Sequence, residues 1–239
     1  MMGNESTGGK TRERAMHANH EPRRLIQGIS NARQRGIQAL ALGASAGGSQ
    51  ALRILLQSLP ATYECPIVIT QHIAPGGDSA LALQLDREFS LSVQEGRHGT
   101  PLMPGHVYLA PSGYHMLVES DRRLSLSVDA LVHFSRPSID ELFRTAASVF
   151  RDKLLAVLLT GANADGARGL AKAYDSGALT VVQDPKEAEY PTMPREAQAY
   201  LQQTHRGATH REGSLEAIAD LLLRCGSRNN PTDLSESAP

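Results

Sequence analysis

Apolar and polar positions follow two rhythms along this chain. Short, nearly continuous apolar runs recur at Ile37–Leu42, Pro66–Thr70 (PIVIT), Leu154–Thr160 (LLAVLLT) and Ala178–Val182 (ALTVV). Runs this short, bounded by turn residues, predict strands buried on both faces. Between them, apolar residues recur at helical spacing over Ser49–Ser58, Asp78–Phe89, Ser138–Phe150, Ala167–Ser176, Arg195–Gln203 and Leu215–Leu223. Asp78 is placed to cap the second of these helices, and Ser138-Ile139-Asp140-Glu141 reads as the start of the third. Residues 107–128 differ. There VYLA, HMLVE and LSLSV are separated by the turn signals PSGY and SDRR, which predicts an antiparallel hairpin or meander. Repeated strand-then-helix units with apolar strands predict an α/β fold: a doubly wound, mostly parallel sheet with helices on both faces and a local antiparallel hairpin at about 107–128.

Composition changes the picture only at the ends. Residues 1–35 are polar, rich in Gly, Asn, Ser and Arg, and are expected to form a disordered leader; residues 227–239 are expected to form a disordered tail. That leaves one α/β domain over 36–226. The net charge is −1, from 24 basic and 25 acidic residues, so nothing draws the whole chain to nucleic acid or to a membrane surface. No apolar run approaches the roughly 20 residues that span a bilayer, and the first residues lack a secretory h-region. Cys65 and Cys225 stand far apart, without metal-type spacing. No disulfide framework or zinc site is expected, and a cytoplasmic location suits the composition. Aromatics make up only 4% of the chain, which weakens a base-stacking reading.

The candidate chemistry stands at the strand ends, where open α/β sheets place their ligands. After Ile37–Leu42 comes Ser45, within Gly43-Ala44-Ser45-Ala46-Gly47-Gly48; after Pro66–Thr70 come Gln71 and His72; after Leu154–Thr160 come Gly161, Asn163 and Asp165. Serine, histidine and aspartate are the inventory of an activated nucleophile, and neighbouring strands only ~4.8 Å apart would bring them into contact. Each residue also has a plainer reading. Ser45 could be a turn residue or helix cap, His72 a core histidine satisfied by backbone, and Asp165 a cap for the helix beginning near Ala167.

Other motifs compete less well. Gly43-Ala44-Ser45-Ala46-Gly47 matches the G-x-S-x-G nucleophile elbow, but that fold needs several earlier strands and would recruit His205 or His210 as its histidine. A dinucleotide site wants different glycine spacing and an acidic residue where Gln71-His72 stands. Gly8-Gly9-Lys10-Thr11 has the end of a phosphate-binding loop, with Asn4 where its first glycine belongs and no preceding strand.

Taken together, Gly43–Gly48, Gln71-His72 and Leu159-Thr160-Gly161-Ala162-Asn163-Ala164-Asp165-Gly166 resemble the three motifs of the catalytic domain of chemotaxis receptor methylesterases of the CheB type. Pro104–Pro111, Arg136–Asp140, Gln183-Asp184 and Met193–Ala197 resemble the same family, and the likeness covers roughly residues 37–225. The resemblance implies a methylesterase-like α/β domain without metal or organic cofactor. It implies Ser45 as nucleophile, His72 as general base and then acid, and Asp165 orienting His72. Ala46, Gly47, His72, Ala162 and Asn163 become candidates for holding the oxyanion or the substrate. The implied reaction is hydrolysis of glutamate γ-methyl esters on chemoreceptor cytoplasmic helices, with deamidation of receptor glutamines as a further activity. Two departures stand out: Ala46 replaces the Thr or similar small residue usual after the serine, and Ala162-Asn163 replaces Met-Gly before the aspartate motif. They motivate a second expectation, a catalytically weak interaction module of a chemosensory complex; an acyl-hydrolase acting on another ester is a third. The short leader leaves no room for the family's receiver domain, so constitutive activity or a regulator acting in trans is expected.

Overall fold

The computed structural model describes residues 35–73, 80–205 and 211–226. Among these residues nine strands form: β1 (Ala39–Ala44), β2 (Ile67–Gln71), β3 (Ser92–Glu95), β4 (His106–Leu109), β5 (His115–Val118), β6 (Leu124–Ser127), β7 (Leu154–Leu158), β8 (Leu179–Gln183) and β9 (Arg211–Gly213). Seven of them make one sheet in the order β3-β4-β2-β1-β7-β8-β9, every neighbouring pair parallel. β5 and β6 form a separate antiparallel hairpin. The helices are α1 (Gly48–Leu56), α2 (Ala80–Glu88), α3 (Ile139–Phe150), α4 (Ala167–Asp175), α5 (Thr192–Thr204) and α6 (Leu215–Cys225).

The period-two geometry of a strand sorts the core into two layers. Leu40, Leu42, Ile67, Ile69, Leu155 and Val157 face one way and pack with Leu52 and Leu55 of α1, Leu85 of α2 and Leu221 of α6. Ala39, Ala41, Val68, Ala156 and Leu158 face the other way and pack with Leu142 and Phe143 of α3, Leu170 of α4 and Leu201 of α5. Burying each such leucine or isoleucine stabilises the fold by about 1.5–3 kcal/mol. The small side chains of Ala39, Ala41 and Gly43 on β1 let α3 approach closely, and a β-carbon on Gly43 would overlap Ile139.

The doubly wound reading holds, with one correction. The VYLA run does not join the hairpin. Its residues form β4, inside the parallel sheet between β3 and β2. The reason is two-sided burial: Val107 and Leu109 belong to one core layer, Tyr108 and Ala110 to the other. The hairpin is therefore β5 and β6 alone, lying against α3. β3 and β9 have no counterpart among the expected strands. α5 begins three residues earlier than the periodicity suggests, with Pro194 in its first turn, where a missing N–H costs nothing. The predicted leader and tail, the Asp78 cap, the Gly8–Thr11 motif and His210 lie outside the described residues. Among the described residues, no helix is long and apolar enough to cross a membrane, and no group of three or more His, Cys, Asp or Glu side chains is arranged to hold a metal ion.

Candidate active site

Three strand ends meet at one place. β1 lies between β2 and β7, with Gly43 in register with Thr70 on one side and Leu158 on the other. From β1 the chain builds outward through β2 and β4, then returns to β7 on the opposite flank. The carboxyl edge of β2, β1 and β7 is thus the switch point of the sheet, and Ser45, His72 and the loop to Asp165 all emerge there.

The turn after β1 is held from several sides. The Ser45 N–H donates to Thr160 O at 3.0 Å, and the Ser45 carbonyl accepts from Gly48 N–H at 2.8 Å and Gln71 Nε2 at 2.9 Å. Gly47, at φ +75°, is the N-cap of α1, a left-handed position that favours glycine. Next to it Gly48 packs so closely on Gln71 that a β-carbon would overlap the side-chain oxygen. Gln71 Nε2 also donates to the His72 carbonyl at 2.9 Å, so one amide fixes both the serine turn and the histidine backbone.

The side chains complete the arrangement. His72 Nδ1 is 3.1 Å from Ser45 Oγ, and His72 Nε2 is 2.8 Å from Asp165 Oδ2. Asp165 is fully buried, and its two oxygens accept four hydrogen bonds. Oδ2 accepts from His72 and from the Ile139 N–H at 2.7 Å; Oδ1 accepts from Ser138 Oγ at 2.9 Å and the Asp140 N–H at 3.0 Å. Ser138 is the N-cap of α3, so the carboxylate sits at the positive end of that helix. Burial works to raise the Asp165 pKa, but hydrogen bonds from His72, Ile139 and Asp140 outweigh it and hold the carboxyl below its ordinary range. An ionised carboxylate only accepts, so the imidazole proton resides on Nε2. Nδ1 is then left to accept from the Ser45 hydroxyl.

Ser45 does lie in a tight turn, but the cap readings of Ser45 and Asp165 and the backbone-satisfied reading of His72 do not hold. Asp165 caps no helix after it, because α4 starts from Gly166 (φ +94°) without a side-chain cap. Ser45 does not cap α1, and His72 spends both ring nitrogens on side chains rather than on backbone.

Among the described residues, the N–H groups of Ala46, Gly47 and Ala162 have no protein acceptor, which keeps them available to an incoming oxygen. The His72 N–H, also expected as a donor, is already committed to Ala44 O at 3.0 Å. Asn163 turns inward: its Oδ1 accepts the Asp165 N–H at 3.1 Å, an Asx turn that shapes the loop.

Several supporting residues were not singled out from the sequence. Ser138, expected as a helix start and as part of the family-like stretch Arg136–Asp140, also donates to Asp165. Thr160 gives its N–H to Gln183 Oε1 at 2.8 Å, gives its hydroxyl to Ala46 O at 3.0 Å, and accepts the Tyr190 N–H at 2.9 Å. The available signal was a polar residue closing an otherwise apolar strand, shared by Gln71, Thr160 and Gln183. Asp140 lies just beyond. It is buried, accepts the Gly169 N–H at 2.6 Å and stands 3.6 Å from His133 Nε2. Burial pushes its carboxyl above the ordinary range.

A family model described as CheB methylesterase matches residues 40–222. A Leptospira interrogans protein named "Putative protein-glutamate methylesterase/protein-glutamine glutaminase" is 43% identical over 192 residues, covering 80% of this chain and 96% of that one. Protein-glutamate methylesterase FrzG of Myxococcus xanthus is 37% identical over 185 residues, 77% of this chain and 54% of its own length. Against FrzG and several other relatives the chain spans about half their length. Among solved structures, the CheB methylesterase catalytic domain of Thermotoga maritima superposes with a TM-score of 0.70 at 28% identity, covering 78% of this chain and 97% of that one. On its sequence and on its fold alike, this chain belongs to the CheB methylesterase family.

Proposed function

We propose that this chain is a serine esterase that hydrolyses glutamate γ-methyl esters on methylated chemoreceptors, with deamidation of receptor glutamines as a related activity. The observation that carries the reading is the unbroken series from Ser45 Oγ through His72 to an Asp165 held by four donors. In this reading Ser45 attacks the ester carbonyl while its proton passes to His72 Nδ1. The charge that develops on the carbonyl oxygen is met by the free N–H groups of Ala46 and Gly47 at the start of α1. Each such donor is worth about 3 kcal/mol in the transition state. His72 then protonates the departing methoxide, giving methanol and a glutamyl-Ser45 ester. A water, deprotonated by the same nitrogen, adds to that ester and releases glutamate and free Ser45. Asp165 keeps Nε2 protonated throughout and stabilises the imidazolium.

The complete set of contacts and the names of the relatives favour an enzyme over a catalytically weak interaction module. Ala162 and Asn163 leave Ser45 and His72 joined, and Asn163 contributes only a loop-shaping bond. The test is release of labelled methanol from a receptor fragment carrying glutamate γ-methyl esters. The wild-type protein is expected to release it and Ser45→Ala to release none; normal turnover by Ser45→Ala sinks the proposal.

A further inference from the structure

We propose that Glu189 is a specificity-determining residue that disfavours an ionised carboxylate over Ser45, so that neutral γ-acyl groups enter and the glutamate product leaves. The inference rests on the esterase reading above. Glu189 lies in the loop between β8 and α5, one residue before Tyr190, whose N–H is bonded to Thr160 Oγ1. That same hydroxyl holds the Ala46 carbonyl, so the loop is tied to the turn that carries Ser45. Glu189 reaches over the turn. Its Oε2 is 2.8 Å from where a β-carbon on Gly47 would stand, and its Cβ is 3.0 Å from the same point. Gly47 is thus obligatory twice, once for its left-handed backbone and once because the carboxylate lies against it.

The Glu189 side chain is exposed, and no hydrogen bond or ion pair engages it among the described residues. It therefore acts on whatever sits beside the free Ala46 and Gly47 N–H groups. Ester and acid differ there by one charge, since the γ-methyl ester is neutral and its hydrolysis product carries −1. A like charge against the turn that carries Ser45, screened by the solvent that reaches Glu189, weakens product binding by about threefold to tenfold while leaving the neutral ester untouched. The same repulsion opposes the oxyanion, so the residue favours turnover by clearing product rather than by speeding acylation.

The experiment follows Ser45 through hydrolysis of p-nitrophenyl acetate, inhibited either by a blocked peptide with one glutamate or by the same peptide with glutamine. In the wild-type protein the glutamine peptide is expected to inhibit more strongly than the glutamate peptide. Glu189→Gln, which keeps the packing on Gly47, tightens inhibition by the glutamate peptide about threefold to tenfold and leaves the glutamine peptide unchanged. At roughly 1 M salt, where the Debye length is about 3 Å, the wild-type difference shrinks and that of the variant does not. Equal inhibition constants for the glutamate peptide in both proteins, or no inhibition in either, overturn the proposal. Failure to release methanol from the matching γ-methyl ester peptide would instead defeat the esterase reading, because the p-nitrophenyl acetate readout does not depend on it.

Discussion

Two histidines in this molecule make the same pattern of contacts and sit in opposite circumstances. His72 links Ser45 Oγ at Nδ1 to Asp165 at Nε2; His205 links Thr204 Oγ1 at Nδ1, at 2.7 Å, to Asp175 at Nε2, at 2.5 Å. The carboxylates differ first: Asp165 is 0% exposed and Asp175 46%. Asp165 is gripped by the first turn of α3, whereas Asp175 shares the surface with Lys172. The hydroxyls differ in their other bonds. Thr204 Oγ1 also lies 2.7 Å from Tyr200 O, whereas Ser45 Oγ has His72 as its one partner among the described residues. What separates the two sites is therefore the competition for the hydroxyl proton and the rigidity of the acid, neither of which is visible in the connectivity.

This comparison breaks if the surface arrangement reacts. Ser45→Ala is expected to lower esterase turnover by about 10⁴-fold or more, and His72→Ala similarly, whereas Thr204→Ala and His205→Ala leave it unchanged. A fluorophosphonate probe followed by peptide mapping should find label on Ser45 and none on Thr204. Next in size, Asp165→Asn is expected to lower kcat by about 10³-fold or more, because the amide favours the wrong imidazole tautomer; Asp175→Asn should leave kcat alone. Ser138→Ala sharpens the account of rigidity. It removes both the α3 cap and one donor to Asp165, so steady-state kinetics should show about a tenfold lower kcat, and urea unfolding a loss of about 1–2 kcal/mol.

The smallest effect concerns pH. Since the folded pKa of Asp165 lies below its unfolded value, its contribution to stability is fully present above the unfolded carboxylate range, near ~4. It is lost as pH falls through the folded value. Urea unfolding across the acid range should show that loss in the wild-type protein and less of it in Asp165→Asn.

Much of this was legible because each key residue follows a strongly apolar strand within a few residues. Continuous burial of β1, β2 and β7 writes itself into the chain as unbroken runs, and the polar residues soon after them include the three at the site. Strand order was not legible, since no local pattern says that β1 lies between β2 and β7. β4 was misread because a turn-flanked run of four residues looks the same in a hairpin and in a sheet interior. β3 and β9 went unseen because Ser92–Glu95 and Arg211–Gly213 are short, polar edge strands whose residues are partly exposed. The role of Ser138 was hidden for another reason. A cap is a local signal, but the carboxylate it shares lies 27 residues away.

The sequence distances inside the site have a consequence for the growing chain. Ser45 and His72 are 27 residues apart, but His72 and Asp165 are 93 apart, and β7 must dock on β1 before they can meet. Closing a loop of that size is slow relative to local helix formation. A nascent polypeptide that has emerged only as far as α3 therefore carries its serine and histidine without their acid, and the central strand still lacks one neighbour. On the proposed mechanism, hydrolytic competence arrives late, with the second half of the sheet. During refolding, recovery of turnover should trail recovery of helical signal and report the docking of that one strand.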